Sequence, residues 1–140
     1  MATIGDMLRR FDQLDVIELA GESMYDNRAE ILDINREQLY EQGIGKDGQP
    51  LPPYSPPYAK IKQRQRGKSI VDIYRRGNLQ REMELYVREY EYEITSMVEY
   101  TKYVANLRPT IFGLTTEGKK EAYYIIRPDL VRKIKSKLNI

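Results

Sequence analysis

Five cations stand at alternate positions, Lys60, Lys62, Arg64, Arg66 and Lys68, with no acid among them. In an extended backbone, alternate side chains project from one face. The five would then form a row able to contact successive phosphates or an acidic partner, and without a partner they form a solvated basic loop. Tyr54 and Tyr58, just upstream, add two rings with polar tips, a side-chain type enriched where proteins meet. Glu89, Glu91 and Glu93 also alternate, so a strand would bring three carboxylates to one side. A hard cation would need them buried and convergent; a solvated turn is the expectation. Arg127, Arg132, Lys133, Lys135 and Lys137 crowd the C-terminal end. They are expected on the wet face of an amphipathic helix, where cations also suit a helix C-terminus.

Composition excludes much other chemistry. The 140 residues contain no cysteine and no histidine. That removes disulfides, thiolate and imidazole metal ligands, cysteine nucleophiles and the relays that use histidine as base. No phosphate-cradling glycine loop or other catalytic motif is present. The chain is therefore expected not to be an enzyme, with no catalytic, cofactor-binding or metal-binding residues and no cofactor. Met1–Leu14 interrupts its apolar positions with Asp6, Arg9, Arg10 and Asp12, unlike a signal peptide. No run approaches the roughly 20 apolar residues of a membrane span. The expected setting is the interior of the cell that makes the protein, without a membrane partner.

The scaffold for these residues is expected to be one domain over residues 1–140. Residues 1–42 read as helical. Ile4, Met7, Leu8, Phe11 and Leu14 make one stripe, and a longer pattern from Asp15 to Gln42 turns Val16, Leu19, Ala20, Ile31, Ile34 and Leu39 inward. Its weak middle, Gly21–Asn27, is where it would bend, and Gly43 would end it in a left-handed conformation. Residues 43–69 read as an extended arm with a tight turn at Asp47-Gly48, because Pro50, Pro52, Pro53, Pro56 and Pro57 block regular hydrogen bonding.

Residues 70–114 read as the sheet core. Ile70, Val71 and Ile73 lead into Gly77, and Asn78 would cap a short helix through Met83. Met83, Leu85 and Val87 alternate with polar residues, as do Tyr92, Ile94 and Val98, which predicts an antiparallel hairpin turning at 89–91. Tyr100, Tyr103, Val104 and Leu107 fall on one helical face, ended by Arg108-Pro109. Residues 115–140 read as helical with a break, Pro128 starting a last helix whose stripe is Leu130, Val131, Ile134 and Leu138. The expected fold class is α+β: N-terminal helices and a C-terminal helix packed on a small antiparallel sheet, with a long proline-rich arm.

Charge is divided along the chain. Met1–Gln42 has four arginines against ten acids, a net of −6, while residues 43–140 carry nineteen cations and eleven acids, a net of +8. Opposite ends could attract within one subunit or between neighbouring copies.

Gln38, Leu39 and Gly43 at a helix end, the Asp47-Gly48-x-Pro50-Leu51 loop with its tyrosines, and the lysine-rich exit together resemble the phage virion-morphogenesis or tail-completion proteins. Gly77 and Leu79, two strands, Tyr100, Tyr103 and Val104, then Arg108, Pro109, Phe112, Gly113 and Leu114 are similar to these and to the related minor tail and tail-terminator proteins. The resemblance implies a structural virion protein of a tailed bacteriophage, a tail-completion, tail-terminator or head–tail joining component of the neck. Its partners would be itself, as a ring of six, together with the tail tube protein or the head connector protein, and DNA would pass transiently through the ring. It would reside in the virion tail or neck after assembly in the host cytoplasm. Gly77, Leu79, Tyr100, Tyr103, Arg108, Pro109, Phe112, Gly113 and Leu114 would be structural. The arm with Tyr54, Tyr58, Lys60, Lys62, Arg64, Arg66 and Lys68 would reach an adjacent ring or subunit. The rival class is a small basic nucleic-acid-binding protein that uses the row from Lys60 to Lys68.

Overall fold

Side-chain caps punctuate the N-terminal helices of the computed structural model, which describes residues 3–52, 78–89 and 91–140. Thr3 opens α1 (Ile4–Asp12) with a capping box. Its hydroxyl accepts from the Asp6 amide at 3.1 Å, and the Asp6 carboxylate accepts from the Thr3 amide at 3.0 Å. Asp15 opens α2 (Val16–Asp26) by accepting from the Glu18 amide at 3.0 Å. The expected bend falls at Asn27, whose φ of −104° and ψ of 20° interrupt the helix. Then α3 (Arg28–Glu37) runs into a π-helical turn, Gln38–Gln42, closed by Gly43 in the left-handed region at φ 64°.

A tight loop takes the place of the first part of the expected arm. Ile44 bridges Pro50 around Asp47-Gly48, where the Asp47 carboxylate accepts from the Gln49 amide at 3.0 Å. Leu51 is buried, so the chain comes back to the core here. The remainder of the arm, and the lead-in from Ile70 to Gly77, lie outside the described residues.

Asn78 is the first residue of α4 (Asn78–Arg81) rather than its cap, and Met83 already belongs to β1 (Met83–Val87). β1 pairs antiparallel with β2 (Tyr92–Ser96), Leu85 opposite Ile94 and Met83 opposite Ser96. Ser96, not Val98, takes the last inward place of β2, because its hydroxyl donates to the Leu79 carbonyl at 2.9 Å and so can be buried. α5 (Thr101–Leu107) ends at Arg108 before Pro109, as expected. α6 (Thr116–Leu138) begins where the Thr115 hydroxyl accepts from the Gly118 amide at 3.0 Å.

Pro128 lies inside this 23-residue α6 and does not start a helix. A proline frees the carbonyl four residues earlier. Here that residue is Tyr124, which is 67% exposed, so water can serve the carbonyl. Other inward expectations are corrected too. Val16, Tyr100, Tyr103, Leu107 and Val131 are exposed, because α2, α5 and α6 each bury a narrower face than their apolar spacing allows.

Two apolar clusters form the core. Ile31, Leu32 and Ile34 of α3 meet Met83, Leu85 and Ile94 of the hairpin together with Leu114 and Ala122. Leu39, Leu51, Leu79 and Ile111 make the second cluster. Phe112 is half-buried and packs against both.

The junction between them is polar. Asn35 in α3 donates from Nδ2 to the Ile111 carbonyl at 2.9 Å and accepts at Oδ1 from the Gly113 amide at 2.9 Å. Gln38, one turn on, donates to the Gly113 carbonyl at 2.9 Å and accepts from the Thr115 amide at 3.1 Å. Gly113 has φ 135°, a region in which side chains are strained, and its Cα faces the Lys46 stem, 2.9 Å from where a Cβ would stand. Asn35→Leu would keep comparable bulk and strand the buried Ile111 carbonyl and the half-buried Gly113 amide. Urea unfolding should show a loss of about 2–6 kcal/mol, each stranded group costing about 1–3 kcal/mol. The same change at exposed Asn106 should cost under about 0.5 kcal/mol.

Candidate functional site

α2 presents two faces. Leu19 and Ser23 are buried, and flanking that face Asp15, Glu18 and Glu22 recur at helical spacing along the rim of a groove of about 620 Å³. Ile17, Gly21 and Tyr25 line it from the same helix, and the hairpin tip, Val87 to Glu89, closes the far side. Gly21 allows that approach, since a Cβ there would stand 3.2 Å from Val87 Cγ1. Among the described residues Asp15, Glu18, Glu22 and Glu89 make no ion pair, and Arg88, the one cation among the described residues of the lining, pairs with Glu93 at 3.2 Å.

Asp26, at the end of the same row, is paired. Lys133 of α6 donates to Asp26 at 2.6 Å and to Asp129 at 2.9 Å, while Arg132 pairs with Asp129 from the other side. The bonds from Lys133, then from Arg132, hold the Asp129 carboxyl down at about 2. Desolvation pulls the Lys133 ammonium down, but its bonds to Asp26 and Asp129 outweigh this and leave it raised. Lys133 was expected on the wet face. It is half-buried instead, because α6 packs on α2 and the ammonium meets the C-terminal end of α2, where the helix dipole favours a cation. Arg127, Arg132, Lys135 and Lys137 are exposed as expected.

The candidates read from sequence fall into three places. Tyr54, Tyr58, Lys60, Lys62, Arg64, Arg66, Lys68 and Gly77 lie outside the described residues. Leu79 and Leu114 are buried, Phe112 bridges the clusters, and Arg108 and Gly113 are half-buried at the corner that Asn35 and Gln38 hold. Tyr100, Tyr103 and Pro109 are exposed. Glu89 and Glu91 are exposed at the hairpin turn, and Glu93 pairs with Arg88. Among the described residues no cluster of acids is arranged to hold a metal ion, and no helix is long and apolar enough to cross a membrane.

Sequence reading does not find Asn35 or the groove, and it places Lys133 on the wrong face. The signal for Asn35 was an amide on the buried face between Ile31, Ile34 and Leu39; the groove needs the hairpin tip beside α2, which no local pattern encodes. Comparison with protein-family models, with curated proteins and with solved structures gives no match for this chain.

The ion pair makes stability pH-dependent. An unfolded carboxyl titrates near 3.9, so with Asp129 held at about 2 its contribution is present above that range and is lost as pH falls toward the folded value. Lys133 acts at the other limb: its contribution is full below the ordinary lysine value and is lost as pH rises through the raised one. Asp129→Asn should therefore flatten the acid limb of the urea midpoint against pH. An acid limb unchanged by the substitution would show that Asp129 is not coupled to folding.

Proposed function

We propose that the chain is a structural virion protein of a tailed bacteriophage, a ring-forming tail-completion, tail-terminator or head–tail joining component. One observation supports this reading above the others: the two stretches that carry the resemblance meet. Gln38, from the helix end that Gly43 closes, clasps Gly113 in the Arg108–Leu114 corner, across 75 residues of chain. In such a protein the shared motif builds the scaffold, and the surfaces it displays do the work of self-assembly and axial docking. The exposed faces suit that work. Tyr100 and Tyr103 on and beside α5, and Tyr123 and Tyr124 on α6, put amphipathic rings at the surface, with Leu107 exposed beside the first pair.

Negative-stain imaging with native mass measurement is the direct test. The expected result is annular particles whose mass is a whole multiple of the 16.5 kDa chain, joined on addition of tube or connector protein. A chain that remains monomeric and binds neither overturns the reading. A filter-binding titration across salt addresses the nucleic-acid class, for which phosphate contacts predict a steep fall in affinity.

A further inference from the structure

The acidic groove and the outer face of α6 are complementary in charge, in apolar character and in spacing. Asp15 and Glu22 stand seven residues apart on one helical line with Glu18 between them, a span of about 10 Å at 1.5 Å per residue. On the outer face of α6, Arg127, Val131 and Lys135 step by four and are exposed. Their two cations are separated by about 12 Å on the same rise. Arg127 and Lys135 make no ion pair among the described residues, as is true of Asp15, Glu18 and Glu22. Between the charges both surfaces are apolar: Ile17 and Tyr25 are 46% and 50% exposed at the groove, and Val131 is 41% exposed on the ridge.

The two surfaces face away from one another in one subunit. α2 turns Leu19 and Ser23 inward and the groove outward; α6 turns Ala122 and Lys133 inward and Arg127, Val131 and Lys135 outward. With α2 packed on α6 through their inner faces, the ridge cannot enter its own groove. A neighbouring copy can supply it.

We propose that the groove between α2 and the hairpin tip is the seat of α6 from a second copy of this chain, giving a head-to-tail contact. The inference rests on the reading that the chain assembles with itself, and it names the surfaces. A contact between two different patches leaves the pair one free groove and one free ridge, on different subunits, so it continues until the rotation closes a ring. The occupant enters as a helix ridge, with apolar area at the centre and ion pairs at the rim, so the contact weakens as salt rises.

Charge exchange tests it in the full-length chain. Sedimentation velocity would compare the native chain with a groove variant, E18K/E22K, and a ridge variant, R127E/K135E, each checked by circular dichroism for native helix content. Each variant alone should weaken self-association by more than about tenfold, since like charges face one another across the contact. An equimolar mixture should associate again, because the basic groove of one variant then meets the acidic ridge of the other. If the groove variant alone weakens association, the occupant is another basic segment, and the proposal falls. It falls equally if neither variant has an effect or if the mixture stays dissociated, and in those cases the proposed function still stands. A native chain that is monomeric throughout overturns both. Should a reversed variant lose helix content, E18Q/E22Q takes its place, with a reduced salt dependence expected and an unchanged one contrary to the proposal.

Discussion

Two side-chain amides hold this fold at its centre. A reversal such as Ile111–Thr115 carries backbone donors and acceptors that no strand partner satisfies, and burying them bare would cost about 1–3 kcal/mol each. Asn35 and Gln38 supply four hydrogen bonds to that reversal from one turn of helix. Because those bonds are made, Ile111 and Leu114 can be buried on either side, and the two apolar clusters share Phe112. The same constraint sets the course of α6. A Cβ on Gly118 would stand 2.8 Å from the Gln38 Oε1 and 3.1 Å from Ile34 Cγ2, so the start of α6 reaches α3 only because that position has no side chain.

From that anchor the charge of the molecule is sorted. Once α6 is fixed at its start, its later turns lie along α2, and Ser23, fully buried and small, lets the two helices approach. Lys133 is then carried to the end of α2, where two carboxylates offset its desolvation. Pairing Asp26 in this way consumes the last acid of the α2 row and leaves Asp15, Glu18 and Glu22 without an ion pair among the described residues, although Arg10 and Lys137 line a recess beside them. The net +8 of residues 43–140 is likewise not spread evenly: residues 53–77 hold seven cations against the single acid Asp72. The remaining basic surface of the described residues includes the outer face of α6, so the division of charge along the sequence becomes a division between surfaces.

What was legible in the sequence was local. The alternation in Met83–Val87 and Tyr92–Ser96 gives the hairpin, Gly43 gives the helix stop, Asp47-Gly48 the turn and Arg108-Pro109 the end of α5, each set by backbone preferences of a few neighbouring residues. Failures arose where a partner far away in sequence decides the outcome. Pro128 reads as a helix start, yet α6 packs on both α2 and α3 and runs through it, with the freed carbonyl on the wet side. Val16 and Val131 have core spacing and stay exposed, because hydrophobic period says which face is apolar and not whether anything covers it. Lys133 shows the reverse case: a lysine in a basic run is half-buried because two acids, one of them 107 residues away, meet it. The groove was invisible for the same reason, its two walls being brought together only by tertiary packing.

α1 shows how little of the fold a well-formed helix need support. Its capping box and the Asp6–Arg9 pair satisfy its own first turn, and hydrogen bonds from Thr3 with the nearby arginines keep the Asp6 carboxyl below the usual carboxylate range. Yet none of its residues is buried: Ile4, Leu8 and Phe11 are 81%, 60% and 61% exposed. Isolated helices shorter than about 12–15 residues are marginal in water, and most helical stability in proteins comes from packing an apolar face. A nine-residue helix that buries no residue fully gains a large share from its caps, about 1 kcal/mol for a good one, beside its contact with α6. The core clusters contain no residue of α1, so the domain does not depend on it. The order of α1 therefore rests on its local hydrogen bonds and on the side where it touches α6 and half-buries Arg10, while its apolar stripe stays exposed.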